Sequence, residues 1–182
     1  MLIGKGGETR RMLEEASGAT IEIDSKSGEV MADWGESEVD PVIRMKMPDV
    51  IVAIGRGLAP KRAVQLIEDE VFLKMYDIRD WVGRQPNQTR RMRSRLIGRN
   101  GRIRTLIEEI SNCEMAIYGS TVLVIGDEYG LALANPAIEG ILRGSEHSTV
   151  PHGLEQDRQR PRPRPRSLES YADLQPDEPP GL

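Results

Sequence analysis

Two short glycine loops contain the residues of this sequence whose types and spacing are best suited to binding a ligand. The first loop spans Gly4–Gly7 and the second spans Gly98–Gly101, and both have the pattern Gly-x-x-Gly. Glycines let the chain turn tightly into a helix whose free N–H groups attract anions, and they leave no Cβ in the way of a phosphate. Lys5 adds a cation to the first loop, and Arg99 and Asn100 add a cation and a donor to the second. Both loops are therefore predicted to bind phosphate groups.

The distribution of charge favours a polyanion as the ligand of the second loop. The 182 residues carry 25 Lys+Arg and 29 Asp+Glu, a net charge of −4. Between Arg84 and Arg104 there are eight arginines and no acid, whereas residues 1–83 carry 11 bases and 16 acids. The alternative is a solvated helix face, but such a face usually mixes both signs at i,i+4 spacing. The acid-free segment therefore predicts a polyanion site on an otherwise acidic protein.

Other kinds of site are disfavoured by composition. One cysteine, Cys113, and two histidines, His147 and His152, make a zinc cluster or a Cys/His catalytic pair improbable. Cys113 cannot form an internal disulfide, which is typical of the reducing cytoplasm, and it is expected to be a small buried residue. Neither loop completes the Gly-Lys-Ser/Thr or Gly-x-Gly-x-x-Gly pattern of a nucleotide site. No apolar run reaches the length of a membrane span, and no cofactor is predicted.

The two loops belong to a sequence repeat with an offset of 94 residues. Residues 1–23 align without a gap to residues 95–117, and nine of these 23 positions are identical, from Leu2 over Leu96 to Ile23 over Ile117. One supersecondary unit is thus used twice, and the chain is predicted to have two domains.

Each unit is predicted to run from its loop into a helix, two short strands and a longer helix. The predicted helices after the loops are Glu8–Ser17 and Arg102–Ser111, ended by Gly18 and Asn112. The remaining predicted elements are the strands Thr20–Asp24, Glu29–Asp33, Phe72–Ile78, Glu114–Tyr118 and Thr121–Ile125, and the helices Val39–Ile54, Ala59–Glu70, Asn87–Ile97 and Glu128–Leu142. The two-residue turn Gly119-Ser120 suits a type II′ hairpin.

These features resemble the KH domain, whose Gly-x-x-Gly loop clamps about four nucleotides of single-stranded RNA. More narrowly, the chain resembles archaeal two-KH proteins related to the eukaryotic partner of Nob. The segments that carry this resemblance lie within about residues 1–150 and are Leu2–Gly7, Ile21–Asp24, Ser27–Val30, Ala53–Gly57, Arg93–Glu109 and Gly144–His147. The resemblance implies an α+β fold with two tandem type I KH domains, the first lacking its leading strand and helix. The predicted domains are residues 1–70 and 71–150, followed by a disordered Pro/Arg-rich tail over 151–182.

The predicted RNA-binding residues lie in and beside the two loops. They are Gly4, Lys5, Gly6, Gly7, Arg93, Arg95, Gly98, Arg99, Asn100, Gly101, Arg102 and Arg104. The second loop is expected to hold most of the affinity, because a complete helix precedes it and no carboxylate competes for its arginines. Trp34 and Trp81 are expected to pack in the core rather than to stack on bases.

The resemblance also implies a function and partners. It implies a non-enzymatic protein that binds small-subunit ribosomal RNA near its 3′ end during ribosome assembly. The implied protein partner is the alpha subunit of initiation factor two or the 3′-end endonuclease. Two alternatives stay open at this point, a KH fold that binds only protein and an RNA-processing hydrolase.

Two expectations concern the ends of the chain. The first unit lacks the strand and helix that should precede Gly4, so Met1 is expected to be an internal start of a longer protein. Residues after Val150 hold seven of the twelve prolines and few apolar residues, and they are expected to contribute nothing to the fold.

Overall fold

The two units have the same order of elements from their glycine loops onward. The structure is a computed structural model that describes residues 2–145 and 154–156. The first unit consists of α1 (Glu8–Ser17), β1 (Thr20–Ile23), β2 (Val30–Asp33), α2 (Pro41–Gly55) and α3 (Pro60–Ala63). The second consists of β3 (Phe72–Asp77), α4 (Arg79–Val82), α5 (Pro86–Ile97), α6 (Arg102–Ser111), β4 (Glu114–Tyr118), β5 (Thr121–Gly126) and α7 (Glu128–Arg143). Short 3-10 turns cover Lys5–Gly7, Val64–Ile67 and Arg99–Gly101.

The strands form two antiparallel sheets. In the first unit β1 pairs with β2, with Thr20 opposite Asp33. In the second unit the strand order is β3-β5-β4. The turn between β4 and β5 has two residues, and Gly119 has a φ of 59°, as the predicted type II′ hairpin requires. The predicted ends of α1 and α6 are also confirmed, since Gly18 and Asn112 are both left-handed.

The sheet of the second unit is buried on both faces. Side chains of a strand alternate between the faces, so Val122 and Val124 pack among α5, α6 and α7. Leu123 and Ile125 point the other way and join the core of the first unit, which includes Ile54 of α2. The sheet of the second unit therefore lies between two apolar cores, one of which it shares with the first unit.

The connection between the units differs from the single helix predicted over Ala59–Glu70. The helix α3 ends after one turn, and the chain continues as a 3-10 turn before it enters β3. Lys46 explains this change. Its side chain is only 9% exposed, and its Nζ donates to the carbonyl oxygens of Glu68, of Asp69 at 2.9 Å and of Val71 at 3.1 Å. The linker thus leaves the helical path and wraps around a buried ammonium group, which its carbonyls satisfy.

One residue beyond Val150 is part of the core. Residues 154–156 form a helical turn, and Leu154 is 2% exposed and packs in the core of the second unit. The prediction that nothing after Val150 contributes to the fold is therefore wrong at Leu154. The rest of the predicted tail, including its Pro/Arg run, lies outside the described residues.

Candidate nucleic-acid interface

The first glycine of each loop is required by the helix that follows. Gly4 and Gly98 have φ values of 71° and 73°. A Cβ on Gly4 would lie 2.4 Å from Thr9 Oγ1, and one on Gly98 would lie 2.6 Å from Ile103 Cγ1 and 2.9 Å from its backbone nitrogen. These glycines therefore let each loop close onto its own helix, and they do so equally in the two units.

The last glycine of each loop faces open space. Gly7 and Gly101 have φ values of 76° and 78°, and no heavy atom lies within 4 Å of where their Cβ would be. Each of them is the N-cap of the next helix, α1 or α6, and no side chain caps either helix start. The missing Cβ at each of these ends leaves room for an anion to approach the positive end of the helix.

Several identical residues of the repeat join the helix to the following strand. Glu14 Oε1 accepts the backbone N–H of Ile21 at 3.0 Å, and Glu108 Oε1 accepts that of Met115 at 3.0 Å. The bond from Ile21, together with a hydrogen bond from the Arg10 side chain, holds the pKa of the Glu14 carboxyl below its usual range. Glu14 and Glu108 are identical positions of the sequence repeat, but sequence reasoning assigned no role to them. The identities of the repeat therefore encode a shared scaffold as well as the two loops.

An open groove of about 600 Å³ runs along α5 beside the second loop. Its lining consists of Asn87, Arg90, Arg91, Ser94, Arg95, Gly98 and Arg99. Five arginines of this region have no hydrogen bond or ion pair to any residue that the structure describes, namely Arg90, Arg91, Arg93, Arg99 and Arg102. The second loop thus lies among cations that are not paired with any carboxylate in residues 2–145 or 154–156.

Two of the predicted arginines have structural partners. Arg95 donates to the carbonyl oxygens of Ile141, at 3.5 Å, and of Ser145, so it holds the C-terminal end of α7. Arg104 Nε lies 3.4 Å from Glu108 Oε2. The prediction that no carboxylate competes near the second loop is therefore wrong for Arg104. The acid-free segment ends at residue 104, but the next turn of α6 returns a carboxylate to the same helix face.

The first loop has different surroundings. Arg11 Nη2 donates to the carbonyl oxygen of Gly6 at 3.1 Å, and Arg10 is paired with Glu14 at 3.0 Å. Both cations next to this loop are thus already engaged within α1 and its loop. In the described part of the chain, only Leu2 and Ile3 precede the first loop, whereas the helix α5 precedes the second loop. The backbone places Lys5 in the first loop as predicted.

The remaining candidate residues are structural where they are described. Trp34 Nε1 donates to the carbonyl oxygen of Ser17 at 3.0 Å, and Trp81 packs on the second core with the Arg143 guanidinium 5.4 Å from its ring. Cys113 is buried as predicted, and desolvation raises the pKa of its thiol. His147 lies outside the described residues. Within residues 2–145 and 154–156 there is no group of three or more His, Cys, Asp or Glu side chains that could hold a metal.

Sequence reasoning missed a contact between the units. Arg62 of α3 forms an ion pair with Glu114 of β4, and its Nη1 also lies 3.9 Å from Glu108 Oε1. The first unit therefore places a cation between two carboxylates at the edge of the second unit. A separation of more than 40 residues in sequence leaves no local pattern that could reveal this contact.

None of the described helices is long and apolar enough to cross a membrane.

Both units match family models. Residues 1–69 match the KH domain model, and residues 72–159 match the model of the second KH domain of PNO1, described as a eukaryotic type KH domain of type I. The chain is similar to a KH domain-containing protein of Methanocaldococcus jannaschii, with 35% identity over 160 residues that cover 88% of this chain and 70% of the relative.

Solved archaeal structures are also similar to the whole described fold. Dim2p of Pyrococcus horikoshii has 39% identity and a TM-score of 0.77, with 85% of this chain and 90% of that chain covered. A complex of the same aDim2p with a/eIF2alpha and rRNA gives a TM-score of 0.78 at 39% identity, with 86% of each chain covered. A protein of unknown function from Aeropyrum pernix gives 0.80 at 32% identity, with 86% and 83% covered.

Proposed function

The chain belongs to the partner-of-Nob family of two-KH-domain proteins, which includes archaeal Dim2p, and on this premise we propose that it binds single-stranded RNA through its second glycine loop. The observation that carries the proposal is the set of five arginines that have no carboxylate partner among the described residues, beside an open helix start without a side-chain cap. The side chains of Arg99 and Asn100, together with the positive end of α6, are the proposed phosphate contacts.

The proposed RNA is small-subunit ribosomal RNA near its 3′ end, bound during ribosome assembly. Support comes from the similar aDim2p, which was solved together with rRNA and a/eIF2alpha. The alpha subunit of initiation factor two is accordingly the first protein partner to test, and the 3′-end endonuclease is supported by the resemblance alone. The single buried cysteine is in keeping with a function in the reducing cytoplasm.

The proposed activity is binding without catalysis. Hydrolysis of RNA needs metal-binding carboxylates or an activated nucleophile at one site. Carboxylates that lie near the second loop, such as Glu108, are engaged by Met115 and by arginines.

The family matches over residues 1–69 and 72–159 support a domain boundary near residue 70.

Titration of RNA at several salt concentrations tests the proposal. The probes are a single-stranded RNA from the 3′ end of small-subunit rRNA and an unrelated RNA of the same length. We expect tighter binding of the first, with log Kd rising by about 0.7 per phosphate contact for each tenfold increase in salt. The same RNA should stay intact in Mg²⁺ and in Mn²⁺. If the folded protein binds neither RNA, a KH fold that binds only protein is the better interpretation. If the protein cleaves the RNA, it is a hydrolase.

A further inference from the structure

We propose that the RNA site crosses from the second unit onto the first, with Tyr118 stacking on a base and Arg56 contacting a phosphate. The inference rests on the proposed RNA binding at the second glycine loop, and it adds a subsite that neither glycine loop contains. Four observations carry it: the exposure of Tyr118, its contact with Gly57, its level relative to the second loop, and the anchoring of the segment that contains Arg56.

Tyr118 is an exposed aromatic side chain at the end of β4. It is 53% exposed, and it has no hydrogen bond, ion pair or ring contact to any described residue. Phe72 is also exposed, at 48%, but the Lys46 ammonium lies 5.5 Å from its ring. Tyr76 is buried and donates to Asn135 at 2.8 Å. Tyr118 thus offers an open aromatic face of the kind on which bases stack.

The backbone of the first unit lies directly beside the Tyr118 side chain. Gly57 follows α2 with a φ of 92°, and a Cβ on it would lie 3.4 Å from the Cβ of Tyr118 and 3.6 Å from its Cδ2. The absence of a side chain lets the turn at the end of α2 lie directly beside the tyrosine. Arg56, which precedes the glycine, is exposed and has no partner in the part of the chain that the structure describes.

Strand and helix geometry puts the backbone of Tyr118 about level with the second glycine loop. Its side chain, opposite Thr121 in the strand pairing, lies on the face of the sheet that packs against the first unit. The turn at Asn112 reverses the chain after α6, and Glu108 of the helix bonds to Met115 of the returning strand. From this bond, Tyr118 is three residues along β4, about 10 Å at 3.3 Å per residue. Arg102 is six residues back along α6, about 9 Å at 1.5 Å per residue. The strand therefore brings Tyr118 back to the end of the unit from which α6 starts.

The segment that contains Arg56 is fixed against the second unit. Leu58 and Ala63 are buried in the core that includes residues of β4 and β5. Arg62 pairs with Glu114 and lies 3.9 Å from Glu108 Oε1. The position of Arg56 relative to Tyr118 is thus set by packing on one side and an ion pair on the other. An RNA longer than the four or so nucleotides held by one glycine loop would meet both residues.

Affinities for a short and a long RNA test this subsite. The probes are RNAs of 4 and 8 nucleotides, the short one forming part of the long one. We expect Tyr118→Leu to weaken binding of the 8-nucleotide RNA by about fivefold or more, the effect of losing one stacked base, and to leave the 4-nucleotide RNA within twofold. Tyr118→Phe should keep wild-type affinity, because phenylalanine also stacks. Arg56→Gln should lower the salt slope for the long RNA by about 0.7.

Phe72→Leu is the matched control, because Phe72 is a similarly exposed aromatic on β3, at the opposite edge of the sheet from β4. It should leave both affinities unchanged. A 4-thiouridine outside the four nucleotides held by the loop should crosslink to Tyr118, which mass spectrometry would identify. If Tyr118→Leu has no effect on the long RNA, or Tyr118→Phe loses as much, the subsite is wrong while loop binding stands. If the wild type binds neither RNA, the proposed function itself fails.

Discussion

The two glycine loops have nearly the same backbone and very different surroundings. Gly4 and Gly98 differ by only 2° in φ, and both are closed on their helix by the fifth residue after them. The first loop is followed by arginines that bond to Glu14 and to the loop itself, whereas most arginines around the second loop have no such partner in the part of the chain that the structure describes. The first glycine of the loop is therefore required in both units, and we expect the cations around each loop to determine which copy attracts RNA.

The units also depend on each other unequally. The core of the first unit includes Leu123 and Ile125 from the sheet of the second, and Lys46 holds the linker between them. The second unit has a three-stranded sheet, three packed helices and Leu154. We therefore expect core substitutions in the second unit to be costly, whereas equivalent glycines of the two loops should respond alike; four expected effects are ordered from the largest to the smallest.

The largest effect is expected for Leu154→Ala. Removing a fully buried leucine side chain leaves a cavity and costs about 2–5 kcal/mol of the free energy of unfolding. Glu155→Ala is the control, because Glu155 is exposed in the same turn and should cost less than about 0.5 kcal/mol. Urea denaturation of both variants checks this. Equal stabilities would show that the second unit closes its core without residues beyond Val150.

Gly98→Ala and Gly101→Ala separate the two roles of glycine within one loop. We expect about 2–3 kcal/mol of destabilisation for Gly98→Ala, because its Cβ would meet the backbone nitrogen of Ile103 at 2.9 Å. Gly101→Ala meets no atom and should cost about 1 kcal/mol from its positive φ alone. Thermal unfolding measures both. The same difference is expected between Gly4→Ala and Gly7→Ala, and its absence there would contradict the shared scaffold.

Arginine pairs test the difference in charge. Arg90→Gln with Arg91→Gln should lower the salt slope of RNA binding by about 1.4, which is 0.7 for each lost phosphate contact. Arg10→Gln with Arg11→Gln removes the same charge from the first unit and should leave the slope unchanged, since these arginines are engaged by Glu14 and Gly6. A larger change of slope for the first-unit pair would reverse the assignment.

The smallest effect on stability is expected for the ion pair between Asp77 and Arg79, whose contribution is lost in acid. Hydrogen bonds from the Arg79 side chain lower the pKa of Asp77 to about 2, below its value of about 3.9 in unfolded chains. The native state thus favours the carboxylate, so this contribution to stability is complete above about pH 4 and disappears as the pH falls through about 2. Asp77→Asn should therefore lose more stability at pH 6 than at pH 3. Urea midpoints at the two pH values measure this, and Arg79→Gln should behave alike; a constant difference would count against the ion pair.

Local signals in the sequence were sufficient for the loops and for most elements, but not for the helix predicted over Ala59–Glu70 or for α4. Glycine and asparagine caps predicted the ends of α1 and α6, and the repeat predicted the order of elements in both units. The two-residue turn predicted the hairpin. Each of these features depends on residues within a few positions of one another, where propensity and periodicity act directly.

The contacts that complete the structure join residues far apart in sequence. Arg62 and Glu114 are 52 residues apart, Lys46 meets carbonyls more than 20 residues away, and Leu154 enters a core built from earlier elements. None of these contacts has a local pattern. The one error at the candidate site, the free state of Arg104, was avoidable, because Glu108 follows at i,i+4 spacing.

The central claim, that the second loop provides most of the RNA affinity, is tested by one pair of matched loop variants. Arg99→Asp with Asn100→Asp should weaken binding at least about tenfold, because a charge-assisted bond worth about 1.5–3 kcal/mol is lost and repulsion is added. Lys5→Asp with Gly6→Asp is its counterpart in the first loop. Gly6 has a φ of 63°, close to the 53° of Asn100, and aspartate tolerates this conformation. The account predicts a much smaller loss for the first-loop variant; an equal loss, with both proteins folded by circular dichroism, would contradict it.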